Sequence, residues 1–162
     1  MNKAIFLDRD GVLIDNHDNY YIWRSDQVKF VDGIFKNLQM IQQKGFQLFI
    51  VTNQGGISRS MYTKDDTENL HLLLSEVFRK NHVAITDILF CPHHNENGKC
   101  LCRKPESLMI EKLVARYGIN KEKSFLIGDS QSDMNAASGA GIQGIRITAN
   151  QNMFPFISML IQ

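Results

Sequence analysis

KAIFLDRDG, residues 3–11, begins as a short apolar run and stops abruptly at Asp8. The run is typical of a buried strand, and Asp8 and Asp10 follow it with one residue between them. Because side chains two apart on an extended segment point the same way, we expect two carboxylates on one face. Oxygen ligands at that spacing suit Mg²⁺, and Gly11 permits a sharp turn or a close backbone approach. Two solvated turn aspartates give the same pattern, so the pair alone does not decide between a metal site and a turn.

The same succession of an apolar run and a polar residue recurs along the chain. Apolar runs at 47–51, 85–90, 125–127 and 144–147 alternate with helical patterns at 33–44, 107–117, 132–138 and 154–161 and with a long helical pattern after Thr63 that carries Leu70, Leu73, Leu74, Val77 and Phe78. Asp32 and Thr63 are candidate N-caps of the first two helices. This alternation predicts an α/β fold with an open parallel sheet. Ligands of such sheets bind outside the carboxyl ends of the strands, and the polar residues predicted to share that edge are Asp8, Thr52, Cys91 and Asp129.

Composition and charge exclude several classes of protein. The chain has 162 residues, of which 43% are hydrophobic and 22% charged, and its formal net charge is +1. These values predict a single domain over residues 1–162, with no sign of a nucleic-acid or membrane partner. The first apolar run is too short for a signal peptide, and no run approaches the roughly 18 residues of a membrane span. We therefore expect a cytoplasmic protein, in which thiols stay reduced.

Residues after the second strand and in the middle of the chain have the chemistry of a phosphate site. Thr52 and Asn53 offer a hydroxyl, an amide and backbone N–H groups in a Gly-rich turn, although an ordinary turn uses the same residues. Arg103 and Lys104 can neutralise phosphate charge, or can form a solvated basic pair in a loop. Each feature is weak by itself.

The segment GDSQSD, residues 128–133, carries two further carboxylates. Asp129 follows a predicted strand and is a candidate third oxygen ligand for the cation. Asp133 can cap a helix, orient Lys104 or approach the metal, and an acid at this position is also favoured by the helix dipole. The order of all these elements along the chain is much more specific than any one of them.

That ordered set is Asp8-x-Asp10-Gly11, Thr52, Lys104 and Gly128-Asp129-x3-Asp133. It resembles the haloacid-dehalogenase superfamily of phosphatases, over residues 3–148. The resemblance implies a Rossmann-like sheet, Asp8 as nucleophile through an aspartyl-phosphate intermediate, and Asp10 as general acid and base. It also implies that Thr52 and Lys104 bind the phosphate. Mg²⁺ is expected on Asp8, on the backbone oxygen of Asp10 and on Asp129.

The segment between the first strand and the first helix is too short for a separate cap domain. We call residues 15–27 the flap and expect it to cover the site together with the loop that carries the cysteines. Its aromatic residues Tyr20, Tyr21 and Trp23 offer apolar faces to a sugar, or pack the flap itself.

Three cysteines and a histidine form a candidate zinc site. The pattern Cys91-x-His93-x6-Cys100-x-Cys102 supplies four ligands of the type that tetrahedral Zn²⁺ prefers, although separate pairs of unliganded thiols would fit the same pattern. His94 is adjacent, but the spacing favours His93 because Cys-x-His mirrors Cys-x-Cys. Since all four ligands come from the protein, the zinc is expected to be structural. It would order the loop that leads directly into Arg103 and Lys104.

The sequence around these cysteines narrows the resemblance. Cys-Pro-His followed by Cys-x-Cys-Arg-Lys-Pro is similar to the branch that holds the D-glycero-D-manno-heptose 1,7-bisphosphate phosphatases and the histidinol-phosphate phosphatase domain. TNQGGISR, residues 52–59, looks like the heptose enzymes, in which Arg59 is expected to reach a distal phosphate. The short zinc loop, Ser60 and Glu106 depart from those enzymes.

The resemblance therefore implies a magnesium-dependent phosphatase of a sugar bisphosphate, in carbohydrate metabolism leading to lipopolysaccharide. A histidinol-phosphate phosphatase and a non-catalytic, zinc-stabilised binding module are the alternatives. In each case the expected partner is a small phosphorylated molecule, and we expect a monomer.

Overall fold

The chain folds around one five-stranded sheet. The structure, a computed structural model, describes residues 2–161. The strands are β1 Lys3–Leu7, β2 Phe46–Asn53, β3 Ile85–Cys91, β4 Phe125–Gly128 and β5 Gln143–Arg146. The α-helices are α1 Ile34–Gln43, α2 Lys64–Lys80, α3 Leu108–Tyr117, α4 Gln131–Ala140 and α5 Phe154–Ile161. None of these helices has the length and apolar character needed to span a membrane.

The order of the strands places a crevice next to β1. The order is β3-β2-β1-β4-β5, and all neighbouring strands run parallel. The chain moves outward from β1 to β3 on one side and then returns to the other side of β1 for β4. Ligands of open α/β sheets bind at such a reversal, outside the carboxyl ends of the strands. The predicted open parallel sheet flanked by helices is confirmed.

Alternate residues of β1 face two separate apolar layers. Ile5 and Leu7 pack with α1, α2 and α5, whereas Ala4 and Phe6 pack with α3 and α4. Because both faces of the central strands are buried, their apolar runs are continuous instead of alternating with polar residues. Between β1 and α1 the chain forms two isolated β-bridges and a short 3₁₀ turn, Ser25–Gln27, but no separate cap domain.

The helix N-termini show one correct and one wrong cap prediction. Thr63 accepts a hydrogen bond from the backbone N–H of Asp66, whose side chain returns one to the N–H of Thr63, and so caps α2 as predicted. The prediction of Asp32 as the cap of α1 is wrong. Gly33 occupies the N-cap position with a φ of 72° and makes no side-chain cap. This left-handed residue moves Asp32 one position outside the helix, beyond the N-cap.

Candidate active site

The carboxyl edge of the sheet gathers the polar residues predicted to meet there. Leu7 of β1 is in register with Ile50 of β2 and Ile127 of β4. Asp8 therefore lies directly beyond the end of β1, where the strand order reverses. Asn53 and Cys91 are paired at the ends of β2 and β3. The parallel arrangement therefore brings Asp8, Thr52, Cys91 and Asp129 to one edge, as the sequence predicts.

Lys104 forms a buried ion group with two carboxylates at this edge. Its Nζ lies 2.9 Å from Oδ1 of Asp8 and 2.6 Å from Oδ1 of Asp133, and it donates a hydrogen bond of 2.9 Å to the backbone oxygen of Val51. Burial lowers the pKa of Lys104, but Asp8 and Asp133 more than offset this, so that the net pKa is raised. Lys104 is therefore held as a cation beside Asp8.

Asp133 combines two roles that the sequence left as alternatives. Its Oδ2 accepts hydrogen bonds from the hydroxyl and the backbone N–H of Ser130, which caps α4. Its other carboxylate oxygen pairs with Lys104. The cap fixes the first turn of α4 and the ion pair fixes the ammonium group, so one side chain connects the helix to the site.

The site has more negative charge than its lysine neutralises. Carboxylate oxygens of Asp8, Asp129 and Asp133 lie within 4.8 Å of one another. Burial raises the pKa of Asp8 to about 7, although Lys104 opposes the change. Burial and the charge of Asp133 likewise raise the pKa of Asp129, for which the described residues offer no ion-pair partner. A divalent cation would relieve this excess of charge, and the oxygen donors match Mg²⁺.

Gly11 leaves room for one of these carboxylates. Its φ is +88°, and a Cβ placed there would come within 2.7 Å of Oδ2 of Asp129. A side chain at this position would therefore both strain the turn and displace Asp129. The close approach predicted for Gly11 is present.

Asn53 and Thr52 lie beside Asp8 but make different contacts. The amide of Asn53 accepts a hydrogen bond from the backbone N–H of Lys104 and donates one to its backbone oxygen, both of 2.9 Å. Its side chain thus positions the backbone of Lys104. The buried Thr52 hydroxyl accepts a hydrogen bond of 2.9 Å from Gln54, and its own proton has no acceptor among residues 2–161.

Asp10 is held by groups that the sequence analysis did not identify. Arg9 donates to both of its carboxylate oxygens at 2.9 Å, and Gln54 donates to Oδ2 at 3.1 Å. Arg9 is fully buried, although arginine is rarely so. The position of Arg9 between Asp8 and Asp10 in the sequence could have indicated its contact with Asp10. The contact of Asp10 with Gln54, which is distant in sequence, is visible only in the structure.

The predicted zinc ligands come together as a cluster beside the site. Sγ of Cys102 lies 3.0 Å from Sγ of Cys91 and 3.3 Å from Nδ1 of His93, and Cys100 completes the group. His94 is not part of this cluster. These four ligand atoms form a compact set of the type that binds Zn²⁺.

A cleft of about 290 Å³ opens above Asp8 and Asp10. Among its lining residues are Tyr20 and Tyr21 of the flap, together with His94 and Arg103. Trp23 instead stacks on Tyr62 at 6.0 Å between ring centroids, and so packs the flap. Two of the flap aromatics therefore line the cleft, and Tyr21 also packs against the rings of Tyr20 and Tyr62.

Two arginines have different places around the cleft. Arg103 lines it and donates a hydrogen bond of 2.9 Å to the backbone oxygen of His93, while its own backbone N–H donates to Sγ of Cys100 at 3.3 Å. Arg59 lies at the exposed rim, where it donates a hydrogen bond of 3.4 Å to the hydroxyl of Tyr21. Sequence reasoning predicted both arginines but did not identify His94 as part of the cleft.

Comparisons with known proteins agree with this geometry. A family model for HAD-hydrolase-like proteins matches residues 101–152. The chain is 37% identical to D-glycero-β-D-manno-heptose-1,7-bisphosphate 7-phosphatase of Rhodopseudomonas palustris, over 88% of this chain and 82% of that protein. It is 34% identical to the histidine biosynthesis bifunctional protein HisB of Campylobacter jejuni, over 89% of this chain but 41% of that protein.

A solved structure also matches over nearly the whole chain. It is the crystal structure of D,D-heptose 1,7-bisphosphate phosphatase from B. bronchiseptica complexed with magnesium and phosphate, with a TM-score of 0.83 and 25% identity. The match covers 97% of this chain and 86% of that one. The chain belongs to the haloacid-dehalogenase-like hydrolases and is a phosphoric monoester hydrolase. Within that family it is similar to the heptose-bisphosphate phosphatases over most of its length, and to HisB over a smaller part of that protein.

Proposed function

We propose that this chain is a magnesium-dependent phosphatase that removes the C7 phosphate of D-glycero-D-manno-heptose 1,7-bisphosphate through an aspartyl-phosphate on Asp8. The observation that carries the proposal is the buried ion group of Asp8, Lys104 and Asp133. It lies at the carboxyl edge of the sheet, where the strand order reverses, below an open cleft. The identity to the heptose-bisphosphate phosphatase of Rhodopseudomonas palustris supports the choice of substrate.

Asp8 and Asp10 divide the chemistry between them. An oxygen of Asp8 attacks phosphorus and forms the new P–O bond, while the bond from phosphorus to the sugar oxygen breaks. Asp10 donates its proton to the departing sugar oxygen. Asp10 then takes a proton from a water molecule, which attacks phosphorus and releases inorganic phosphate. The P–O bond to Asp8 breaks, and Asp8 returns to its carboxylate form.

The remaining groups hold the phosphate and balance its charge. Lys104 lies against Asp8 and would neutralise an oxygen of the transferred group, while Asp133 keeps the ammonium in place. The free proton of Thr52 can be donated to another phosphate oxygen. Asn53 contributes by fixing the backbone of Lys104. Mg²⁺ on Asp8, Asp129 and the backbone oxygen of Asp10 would supply positive charge to the transferred phosphate.

The cysteine cluster is proposed to hold a structural Zn²⁺ at Cys91, His93, Cys100 and Cys102. The four protein ligands complete a tetrahedral shell, so the ion has no position for substrate. Its effect on the site would pass through Arg103, whose backbone and side chain both bond to the cluster segment. The reduced thiols of a cytoplasmic location would suit this role.

A second phosphate on the substrate needs a second cationic anchor. Arg103 lines the cleft, and Arg59 at its exposed rim bonds to Tyr21, which is also a lining residue. Arg59 is the predicted anchor of the distal phosphate, and its bond to Tyr21 would bring it toward the cleft. Histidinol phosphate has no distal phosphate and does not need this arginine.

Histidinol phosphate is the second candidate substrate. The 34% identity to HisB over 89% of this chain favours it, as does the short spacing between His93 and Cys100. A non-catalytic binding module is opposed by the complete set of nucleophile, acid and base, lysine and carboxylates.

The two substrates can be separated by one comparison. Phosphate release with Mg²⁺ is measured for heptose 1,7-bisphosphate and for histidinol phosphate, with the wild type and the Asp8→Asn, Arg59→Ala and Arg116→Ala variants. Arg116 is a matched control because it is an exposed arginine that pairs with Asp87, outside the residues of the cleft. We expect preference for the bisphosphate, loss of activity in Asp8→Asn, and a selective loss on the bisphosphate in Arg59→Ala.

Other outcomes would change the role given to Arg59, the substrate or the class of protein. Equal loss on both substrates in Arg59→Ala contradicts the role given to this arginine. Preference for histidinol phosphate retains the mechanism and changes the substrate. If neither substrate releases phosphate while the protein is folded, both proposed substrates are wrong and the binding module is favoured. Light scattering in the same buffer tests the proposal that it is a monomer.

A further inference from the structure

Arg9 is anchored on both sides by buried partners. On one side its guanidinium binds the Asp10 carboxylate through two hydrogen bonds. On the other side, Nη2 donates a hydrogen bond of 2.6 Å to the backbone oxygen of Ile22, and Nη1 lies 3.1 Å from Nε2 of His71. A bidentate arginine fixes the orientation of a carboxylate only if the guanidinium itself is fixed. Its contacts beyond Asp10 are therefore part of the geometry of the active site.

His71 faces Arg9 as a hydrogen-bond acceptor. Arginine is always protonated and can only donate, so Nε2 of His71 must accept and the ring proton must lie on Nδ1. Burial and then the charge of Arg9 lower the pKa of His71 to about 3, which keeps the ring neutral at physiological pH. The ring also packs edge-on against Phe90, with 5.5 Å between centroids. His71 is thus held in place in the one state that can accept.

We propose that His71 is a positioning residue for the active site, because the hydrogen bond it accepts holds Arg9 in the orientation that aligns the Asp10 carboxylate. The inference rests on the proposed role of Asp10 as general acid and base. His71 lies on α2, a helix that supplies no other residue to the site described above. Its effect is expected on the proton transfers and not on phosphate binding, which belongs to Lys104 and Thr52.

The expected consequence is a loss in kcat with little change in KM. Without an acceptor at position 71, the buried Nη1 of Arg9 loses its partner and the guanidinium can rotate away from Asp10. General acid–base catalysis contributes about a hundredfold or more, so partial misalignment of Asp10 should cost about tenfold or more in kcat. Leucine fills the space without an acceptor, whereas the carbonyl of glutamine can reach the position of Nε2.

The experiment compares His71→Leu, His71→Gln, Ser75→Ala and Asp10→Asn with the wild type. Ser75→Ala is the control, since it removes a different hydrogen bond within α2, from the Ser75 hydroxyl to the backbone oxygen of His71. We expect a loss in kcat of about tenfold or more in His71→Leu, with KM within about threefold, and recovery of most of the activity in His71→Gln. Thermal melting identifies a variant that has not folded, and His71→Asn, whose amide is too short to reach, then replaces His71→Leu.

An aryl phosphate provides a readout that a merely structural role would not change. p-Nitrophenolate leaves without a proton, so only the later attack of water on the Asp8 phosphate needs Asp10. His71→Leu should therefore release p-nitrophenolate rapidly in the first turnover and slowly afterwards, as a burst. A folded His71→Leu with wild-type kcat, a loss equal in the first and later turnovers, or no recovery in His71→Gln would overturn the inference. Inactive wild type would instead overturn the proposed function.

Discussion

The surroundings of Gly128 show how closely the residues of the site are packed. It ends β4, and a Cβ at this position would collide with Cβ and Cγ of Asp133. Asp133 cannot yield easily, because one oxygen pairs with Lys104 and the other accepts from Ser130. Glycine is therefore needed here for space, since its φ is not in the left-handed region.

Gly128→Ala is expected to destabilise the protein by about 1–3 kcal/mol, because a methyl group inserted into a well-packed site forces its neighbours to shift. The matched control is Gly139→Ala in α4, where a Cβ meets only Ser107 at 3.3 Å and alanine favours the helix. Urea unfolding measures both variants. Equal stability of Gly128→Ala and the wild type would show that Asp133 is free to move.

His71 should also contribute to the pH dependence of the free energy of unfolding. Its pKa is lowered from 6.5 to about 3 in the folded protein, so the unfolded chain takes up a proton there first as the pH falls. The stability contributed by the neutral ring is complete above about pH 6.5 and is lost by at most about 1.4 kcal/mol per pH unit toward pH 3.

His71→Gln is therefore expected to reduce the loss of unfolding free energy between pH 7 and pH 5. The groups facing the ring include Arg9, which keeps its charge throughout this range. His17→Gln is the control, because it removes an exposed histidine instead of a buried one. An unchanged pH dependence in His71→Gln would contradict the buried neutral state.

The residues that sequence reasoning found are those whose position along the chain signals a role. Asp8 comes directly after an apolar run, Asp129 follows another after a single glycine, and Lys104 follows a cysteine pair. Arg9 and His71 could not be paired in this way, because they are 62 positions apart and meet only when α2 packs on the sheet. A buried polar contact between distant elements leaves no local pattern in the sequence.

Among the larger elements, the loop over residues 91–104 carries the cysteine cluster and contributes Arg103 to the cleft. The cluster residues bond directly to Arg103, and Lys104 follows in sequence. Loss of the ion should therefore loosen the loop and weaken the site at the same time. The spacing argument for His93 over His94 agrees with the cluster that the structure forms.

Substitution of the two adjacent histidines tests this assignment. The wild type is expected to retain zinc on purification, whereas His93→Gln should lose it and melt at a lower temperature, because one of four proposed ligands is removed. His94→Gln should keep stoichiometric zinc, since His94 lines the cleft instead. Metal analysis by mass spectrometry gives the answer. Equal zinc content in the two variants would exclude His93 as a ligand, and absence of zinc from the wild type would exclude the zinc site.

At the scale of the whole molecule, the alternation of apolar runs and helical patterns was enough to predict the parallel sheet and its functional edge. The order β3-β2-β1-β4-β5 was not predicted, because it depends on pairing between strands far apart in sequence. The bounds of the strands also differ by one or two residues from the apolar runs. Polar residues such as Asn53 extend β2, since backbone pairing does not require an apolar side chain.

The single domain predicted over residues 1–162 has a direct consequence for unfolding. Trp23, the only tryptophan, lies on the flap and stacks on Tyr62, whereas far-ultraviolet circular dichroism reports on the helices and the sheet. With metals bound, the two signals should follow one urea transition, as in a cooperative domain. Separate midpoints would show that the flap unfolds independently.

The measurement that tests the central claim most directly is detection of a phosphate on Asp8 during turnover. Protein quenched in acid after mixing with heptose 1,7-bisphosphate and Mg²⁺ is reduced with borohydride, which converts an aspartyl-phosphate to homoserine. Peptide mass spectrometry then locates the change. We expect homoserine at position 8 in the wild type and none in Asp8→Asn. Release of phosphate without this change, or with the change at another aspartate, would contradict it.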